Sequence, residues 1–278
     1  MTSSAAAGFS LLVVLQLFSR AITFVLNTAL ARGLGPQWYA LANVQLYVIS
    51  ATALFLSREG LRRASQRIYP GGAGPALTYG VNVAWLSLPT TAAAAALAGV
   101  YFSDSSRSGG AHEIVGPDEY AWTVWAICIA SAVESCIEPG WLYAQANMHL
   151  RERIIAEGGA LALRAGATVW LALHLRQGAR AFGVAQLVYA CAYVGLLYGL
   201  LRRRCALGQL LPRAHAGQWS PPGAEGALVR QMCWQAVQKY VLTEGERLVL
   251  LALAPLVQQG AFALVSNLGS LVARLLLQ

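Results

Sequence analysis

Eight stretches of about twenty mostly apolar residues run through this sequence, each long enough for a helix to cross a hydrocarbon core about 30 Å thick. They cover residues 9–31, 38–56, 78–102, 120–143, 155–175, 181–201, 228–254 and 260 onward, and Gly, Pro, Ser or Arg-rich breaks separate them. A water-soluble fold could not cover so much apolar surface. Of 278 residues, 57% are hydrophobic and 12% charged, with a mean hydropathy of +0.51, whereas a soluble domain carries about 25% charged residues. The expected fold class is all-α, a polytopic transmembrane helical bundle. Pro89 lies inside the third stretch and predicts a kink there.

The net charge of +8 invites a nucleic-acid reading, but no binding module appears and lysines interleaved with aromatics are missing. The arginines encode orientation instead. With the amino terminus on one side, ten flanking arginines fall on that side (Arg58, Arg62, Arg63, Arg67, Arg151, Arg153, Arg202, Arg203, Arg204 and Arg213) and four on the other (Arg32, Arg107, Arg176 and Arg180). The positive-inside rule then predicts a cytosolic amino terminus in a multi-pass protein. No basic segment or small-residue cleavage site precedes the first apolar run, which is expected to stay as a helix. The five cysteines show no C-x-x-C and no His at ligand spacing, so no metal, disulfide or cofactor is expected. Trp38, Tyr39, Tyr101, Tyr120, Trp122, Trp141 and Tyr143 sit at span ends and read as an interfacial belt.

Residues 202–227, with Pro212, Pro221 and Pro222, divide six spans from the rest and predict a boundary between two bundles. The expected organisation is a first six-helix lobe over 1–201, a cytosolic inter-lobe loop over 202–227, and the first two helices of a truncated second lobe over 228–278.

A charge at the bilayer centre costs about 2.5 to 3.5 kcal/mol, so each one inside a span needs a partner, a wet cavity or a substrate. The first span places Gln16, Arg20, Thr23 and Asn27 within an arc of about 60° at 100° per residue. The seventh groups Gln231, Gln235, Lys239 and Glu246 within about 80°, with Glu244 pointing away. Lys239 is the one lysine in the chain. Glu157 and Arg164 share a face of the fifth span, and Glu134 and Glu138 are four apart in the fourth. Arg20, Arg164 and Lys239 are expected near mid-membrane, with Glu134, Glu138, Glu157, Arg58, Glu59, Arg62, Arg151 and Arg153 toward the cytosolic side. A cationic centre behind a mixed-charge gate suits an anionic cargo, because guanidinium groups bind phosphate and diphosphate bidentately. The competing reading is that these charges pair between helices and only hold the bundle together.

Several runs carry a resemblance. Leu54 to Ala64 (L-F-L-S-R-E-G-L-R-R-A), Phe18 to Asn27 (F-S-R-A-I-T-F-V-L-N), Ile155 to Leu161 (I-A-E-G-G-A-L), Glu138-Pro139, Leu242 to Arg247 (L-T-E-G-E-R) and Ser266 to Gln278 together resemble the Rft family of endoplasmic reticulum membrane proteins. The resemblance implies the multidrug, oligosaccharidyl-lipid and polysaccharide exporter fold, with about eight of fourteen spans present. It also implies translocation of a dolichol-diphosphate heptasaccharide (Man5GlcNAc2) from the cytosolic to the lumenal leaflet for N-glycosylation, with enzymes of that pathway as further partners. Carried over by position, the family's arginines fall on Arg20 and Arg32, its charged loop motif on Arg58, Glu59, Arg62 and Arg63, and its seventh-span motif on Glu244, Glu246 and Arg247.

The expected substrate-binding set is Arg20, Arg32, Arg164, Lys239, Glu246 and Arg247, with no catalytic residue and no enzyme activity. The expected cytosolic gate is Arg58, Glu59, Arg62, Arg63, Glu138, Arg151 and Glu157, in which Glu59, Glu138 and Glu157 pair with Arg58, Arg62 or Arg151. Partners are the lipid-linked oligosaccharide and membrane lipids, and a non-transporting scaffold in lipid-linked oligosaccharide assembly is the alternative.

Overall fold

The computed structural model describes residues 36–72, 74–104, 111–215, 218–219, 225–263 and 265–266. Among them the regular structure is helical, with one isolated bridge between His215 and Gln218. A short α1 (Pro36–Ala40) runs through a π-helical turn (Leu41–Gln45) into α2 (Leu46–Ile68). Then come α3 (Pro75–Trp85), α4 (Ser87–Ser103), the short α5 (Ala111–Val115), α6 (Pro117–Ser135), α7 (Glu138–Ala146), α8 (Leu150–Val169), α9 (Arg180–Leu201) and α10 (Glu225–Leu253).

Among the described residues, four helices are long and apolar enough to cross a membrane: Gln37–Ile68, Pro75–Ser103, Leu150–His174 and Arg180–Leu201. A fifth results if α6 and α7, bent by 40°, are one broken span. These five correspond to the second through sixth expected spans. The first lies outside the described residues. The seventh is present as α10, a helix of 29 residues, but it is too polar to count among the crossing helices. The eighth begins early, with helical backbone from 256, and its remainder lies outside the described residues.

Prolines shape the breaks. The third span keeps one direction as a helix from Pro75 to Ser103, with the regular hydrogen bonding interrupted at Leu86, three residues before Pro89; a proline removes an N–H and crowds the preceding turn. The larger difference from expectation lies after Leu56. Charges end the apolar run there, and the arginines beyond it were expected in a loop, yet α2 continues unbroken to Ile68. Glu59 and Arg63 sit one turn apart and pair along the helix, a spacing that supports rather than ends a helix.

The helices pack as a sequence of neighbours: α8 on α9, α9 on α6, α6 on α4, α4 on α2, and α2 on α10. The two largest apolar clusters among the described residues fill most of the bundle. One gathers Tyr69, Val81, Ile137, Leu142, Leu197 and Leu201; the other gathers Leu41, Ile49, Ala53, Phe102, Val124 and Ile127. At the end opposite the arginine-rich turns, Glu119 of α6 accepts hydrogen bonds from the backbone N–H of Ala179 (2.7 Å) and Arg180 (3.4 Å), capping α9 from another helix. Gly178 makes room for it: φ is +60°, and a Cβ there would lie 2.5 Å from the Glu119 carboxylate. Of the expected aromatic belt, Tyr39, Tyr120 and Trp141 are buried instead.

Candidate functional site

The break between α6 and α7 is where charge enters the bundle. Pro139 has no N–H to offer the carbonyl of Ser135, and Ser87 Oγ donates to that carbonyl instead at 3.3 Å. The hydroxyl of Tyr198 likewise donates to the carbonyl of Cys136 at 2.8 Å. Glu134 closes the last turn of α6 and Glu138 opens α7, so the interruption points both carboxylates at α2. Arg58, midway along the 23-residue α2, reaches Glu134 at 3.0 Å and Glu138 at 2.6 Å. Arg62, one turn on, grips Glu138 with two bonds of 2.8 and 2.6 Å. Its guanidinium also stacks 3.9 Å from the ring centre of Trp141, which Arg153 approaches at 4.8 Å. Arg153 donates in addition to the side-chain carbonyl of Gln145. Glu138 is only 3% exposed, and its position in the first turn of α7 sets its charge at the favourable end of the helix dipole.

A second set of polar contacts joins α2 to α10, which runs antiparallel beside it. Tyr47 donates to Glu244 at 3.2 Å, Thr52 and Tyr240 share a hydrogen bond of 2.6 Å, and Lys239 reaches Glu59 at 2.8 Å. Arg247 holds the other oxygen of Glu244 at 2.7 Å and lies over the Tyr47 ring. Close approach is possible because residue 60 is glycine: a Cβ there would sit 2.6 Å from Cys233 Cα. The buried side of α10 is Met232, Ala236, Tyr240 and Glu244, four apart each time. Glu244, the acid that the helical wheel turns away from the polar stripe, is therefore the buried one. The stripe itself, Gln231, Gln235, Lys239 and Glu246, is exposed.

The expected gate pairs form in part. Glu138 pairs with Arg58 and Arg62 as expected, but Glu59 takes Arg63 and Lys239, which sets Lys239 level with Glu59 rather than deeper. Glu157 has no ion-pair partner among the described residues; it is half-buried and its electrostatic neighbours include Tyr189 and Tyr193. Arg151 is exposed at the start of α8. Arg164 presents an exposed side chain midway along the Leu150–His174 helix, 5.9 Å over the Tyr189 ring. Arg20 and Arg32 lie outside the described residues. Trp141 was expected in the interfacial belt and Arg153 among the cytosolic-side charges, whereas Tyr189 and Tyr193 carried no sequence signal because aromatic residues inside an apolar span read as packing. Among the described residues no group of three His, Cys, Asp or Glu side chains could hold a metal ion.

Comparison with known proteins gives a consistent result. The family model described as Rft protein matches residues 4–278. The Mus musculus protein named Man(5)GlcNAc(2)-PP-dolichol translocation protein RFT1 is 33% identical over 96% of this chain and 51% of its own length. Its namesakes in Xenopus tropicalis and Yarrowia lipolytica are each 30% identical over 99% of this chain, which covers 52% and 46% of them. The chain thus spans about half the length of the curated relatives it matches. No solved structure matches it.

Proposed function

The chain belongs to the Rft protein family, and from that premise we propose that it takes part in moving a dolichol-diphosphate heptasaccharide (Man5GlcNAc2) from the cytosolic to the lumenal leaflet of the endoplasmic reticulum. The observation that carries the reading is the family match over residues 4–278 with relatives named for this translocation. Two lobes rock about a cationic cavity, the first formed by the helices up to Leu201 and the second beginning with α10. Arg164, exposed on a membrane-spanning helix, and Lys239 meet the diphosphate, with Arg20, Arg32 and Arg247 in support. The exposed stripe of Gln231, Gln235 and Glu246 faces the sugar-bearing headgroup. In a low-dielectric cavity each cation attracts the diphosphate more strongly than it could in water, and half-buried sites between repeats suit alternating access. The polyprenyl tail stays in lipid throughout. No bond is made or broken, so no catalytic residue is assigned.

One observation favours a scaffold instead: Lys239 is already held by Glu59, as a merely structural cation would be. The two readings separate in cells depleted of their own Rft protein. If Arg164→Ala and Lys239→Ala each leave N-glycosylation at the level restored by the unaltered protein, the cationic cavity is refuted. Reconstitution in liposomes with labelled lipid-linked heptasaccharide divides the rest: complementation in cells without transfer between leaflets establishes the scaffold.

A further inference from the structure

The connection between α9 and α10 is bound to the bundle over most of its described length. Leu210 is buried in the first apolar cluster, and its carbonyl accepts a hydrogen bond of 2.7 Å from Trp85 Nε1. Asn82 of α3 donates through Nδ2 to the carbonyls of Arg213 and Trp219, both at 2.8 Å, while its Oδ1 accepts the Arg213 N–H at 3.0 Å. His215 and Gln218 exchange backbone hydrogen bonds of 2.9 and 3.0 Å. The His215 ring meets Tyr79 edge-on at 5.9 Å. One asparagine thereby fixes two parts of the connection at once, and a strap results that lies along α3.

What the strap shows outward is of two kinds. Leu211 is 57% and Trp219 62% exposed, a poor choice for a surface that meets water alone. Arg213 is exposed between them, and Arg202 and Arg203 are exposed on the turn that leads into the strap. The ion pair of Arg204 with Glu152 brings that turn against the start of α8, where Arg151 is exposed. Glu152 is spent on Arg204, and Arg151, Arg202 and Arg203 have no acidic partner among the described residues. All of this lies at the end of the bundle where α2, α7 and α9 finish and α3 and α8 begin. Guanidinium groups match phosphate oxygens in a planar fork, and Trp beside them favours the headgroup layer.

We propose that the strap and the arginine turn together form a binding surface for the headgroups of anionic phospholipids, with Asn82 as the residue that positions it. The surface is separate from the proposed translocation path and stands without it. The test uses the full chain purified in neutral detergent, with dioctanoyl phosphatidylserine as probe and binding read by mass-resolved lipid adducts. Dioctanoyl phosphatidylcholine and inorganic pyrophosphate serve as comparisons. Phosphatidylserine is expected to bind at least tenfold more tightly than phosphatidylcholine, and pyrophosphate not to displace it. Arg202→Gln, Arg203→Gln and Arg213→Gln combined should weaken it on the order of a hundredfold, about fivefold per charge. Asn82→Ala should weaken it severalfold with every arginine intact. The proposal is overturned if the triple variant, shown by circular dichroism to keep its helices, binds phosphatidylserine as the unaltered chain does, or if phosphatidylcholine binds equally well. Displacement by pyrophosphate would also overturn it, by assigning the arginines to a free diphosphate group.

Discussion

Arg58 and Glu59 adjoin each other on α2 and enter two networks of opposite character. Arg58 turns inward to Glu134 and Glu138, which are 5% and 3% exposed. Glu59 turns to Lys239 on α10, and the side chains of that pair are 23% and 46% exposed. The inward network has two cations and two carboxylates held by several bonds, with Trp141 beneath, between helices of one bundle. The α2–α10 seam has contacts spread along two helices; Tyr240 and Glu244 are buried in it, and the Lys239–Glu59 pair is the one most open to water. Ion pairing therefore gives a lock at Glu138 and a loose joint at Glu59–Lys239, and burial decides which. Removing one member of a buried network strands a charge, whereas an exposed pair is worth little whichever way it goes.

The sharpest attempt to break this contrast is Glu138→Ala. It leaves Arg62 without a carboxylate and Arg58 with one, and thermal unfolding in detergent should show a loss of about 3 to 5 kcal/mol. A variant that melts like the unaltered protein would mean that water enters the break freely. Gly60→Val comes next. Its Cβ would collide with the backbone of Cys233, so α10 should be pushed off α2 at a cost of about 1 to 3 kcal/mol. Cysteines at positions 52 and 240, which face each other across the reach of a tyrosine side chain, should be bridged by a short bifunctional thiol reagent with residue 60 as glycine and poorly with valine there; equal bridging would show that the helices do not touch as described. The smallest effect is reserved for Glu59 and Lys239. A double-mutant cycle with Glu59→Gln and Lys239→Met should give a coupling of about 0.2 to 1 kcal/mol that shrinks further in high salt. A value matching the Glu138 effect would erase the distinction between lock and joint.

Much of the helical layout was legible in the sequence because apolar run length is a direct consequence of bilayer thickness, and an interruption near Pro89 follows from a missing N–H; the break before Pro139, inside a span expected to be continuous, was not foreseen. Glu134 and Glu138 were visible as a pair one turn apart, and Glu138 found the arginines expected of it. The helical extension to Ile68 was hidden because a hydropathy window stops at charge, although the Glu59–Arg63 spacing already favoured a helix. The orientation of α10 was not legible at all. A helical wheel groups its polar residues correctly but is silent on which face a neighbour covers, and here that is decided by Gly60 on a different helix. Membrane helices approach closely where side chains are small, so Gly60 was the signal for the seam. That Glu157 has no ion-pair partner among the described residues and that Arg164 is exposed likewise depend on how α8 and α9 are rotated, which periodicity alone does not fix.

The start of α9 is held at the far end of the bundle. Glu119 satisfies the first N–H groups of α9, and it can do so only while residue 178 carries a single hydrogen as its side chain. A methyl group there would evict the carboxylate, and α9 would lose the tie that fixes its angular phase against α6. Tyr189 and Tyr193, which flank Glu157 and Arg164 two to four turns further along, would swing with it. The surroundings of Glu157 and Arg164 are therefore indexed from the far end of α9, by one backbone position that never touches them.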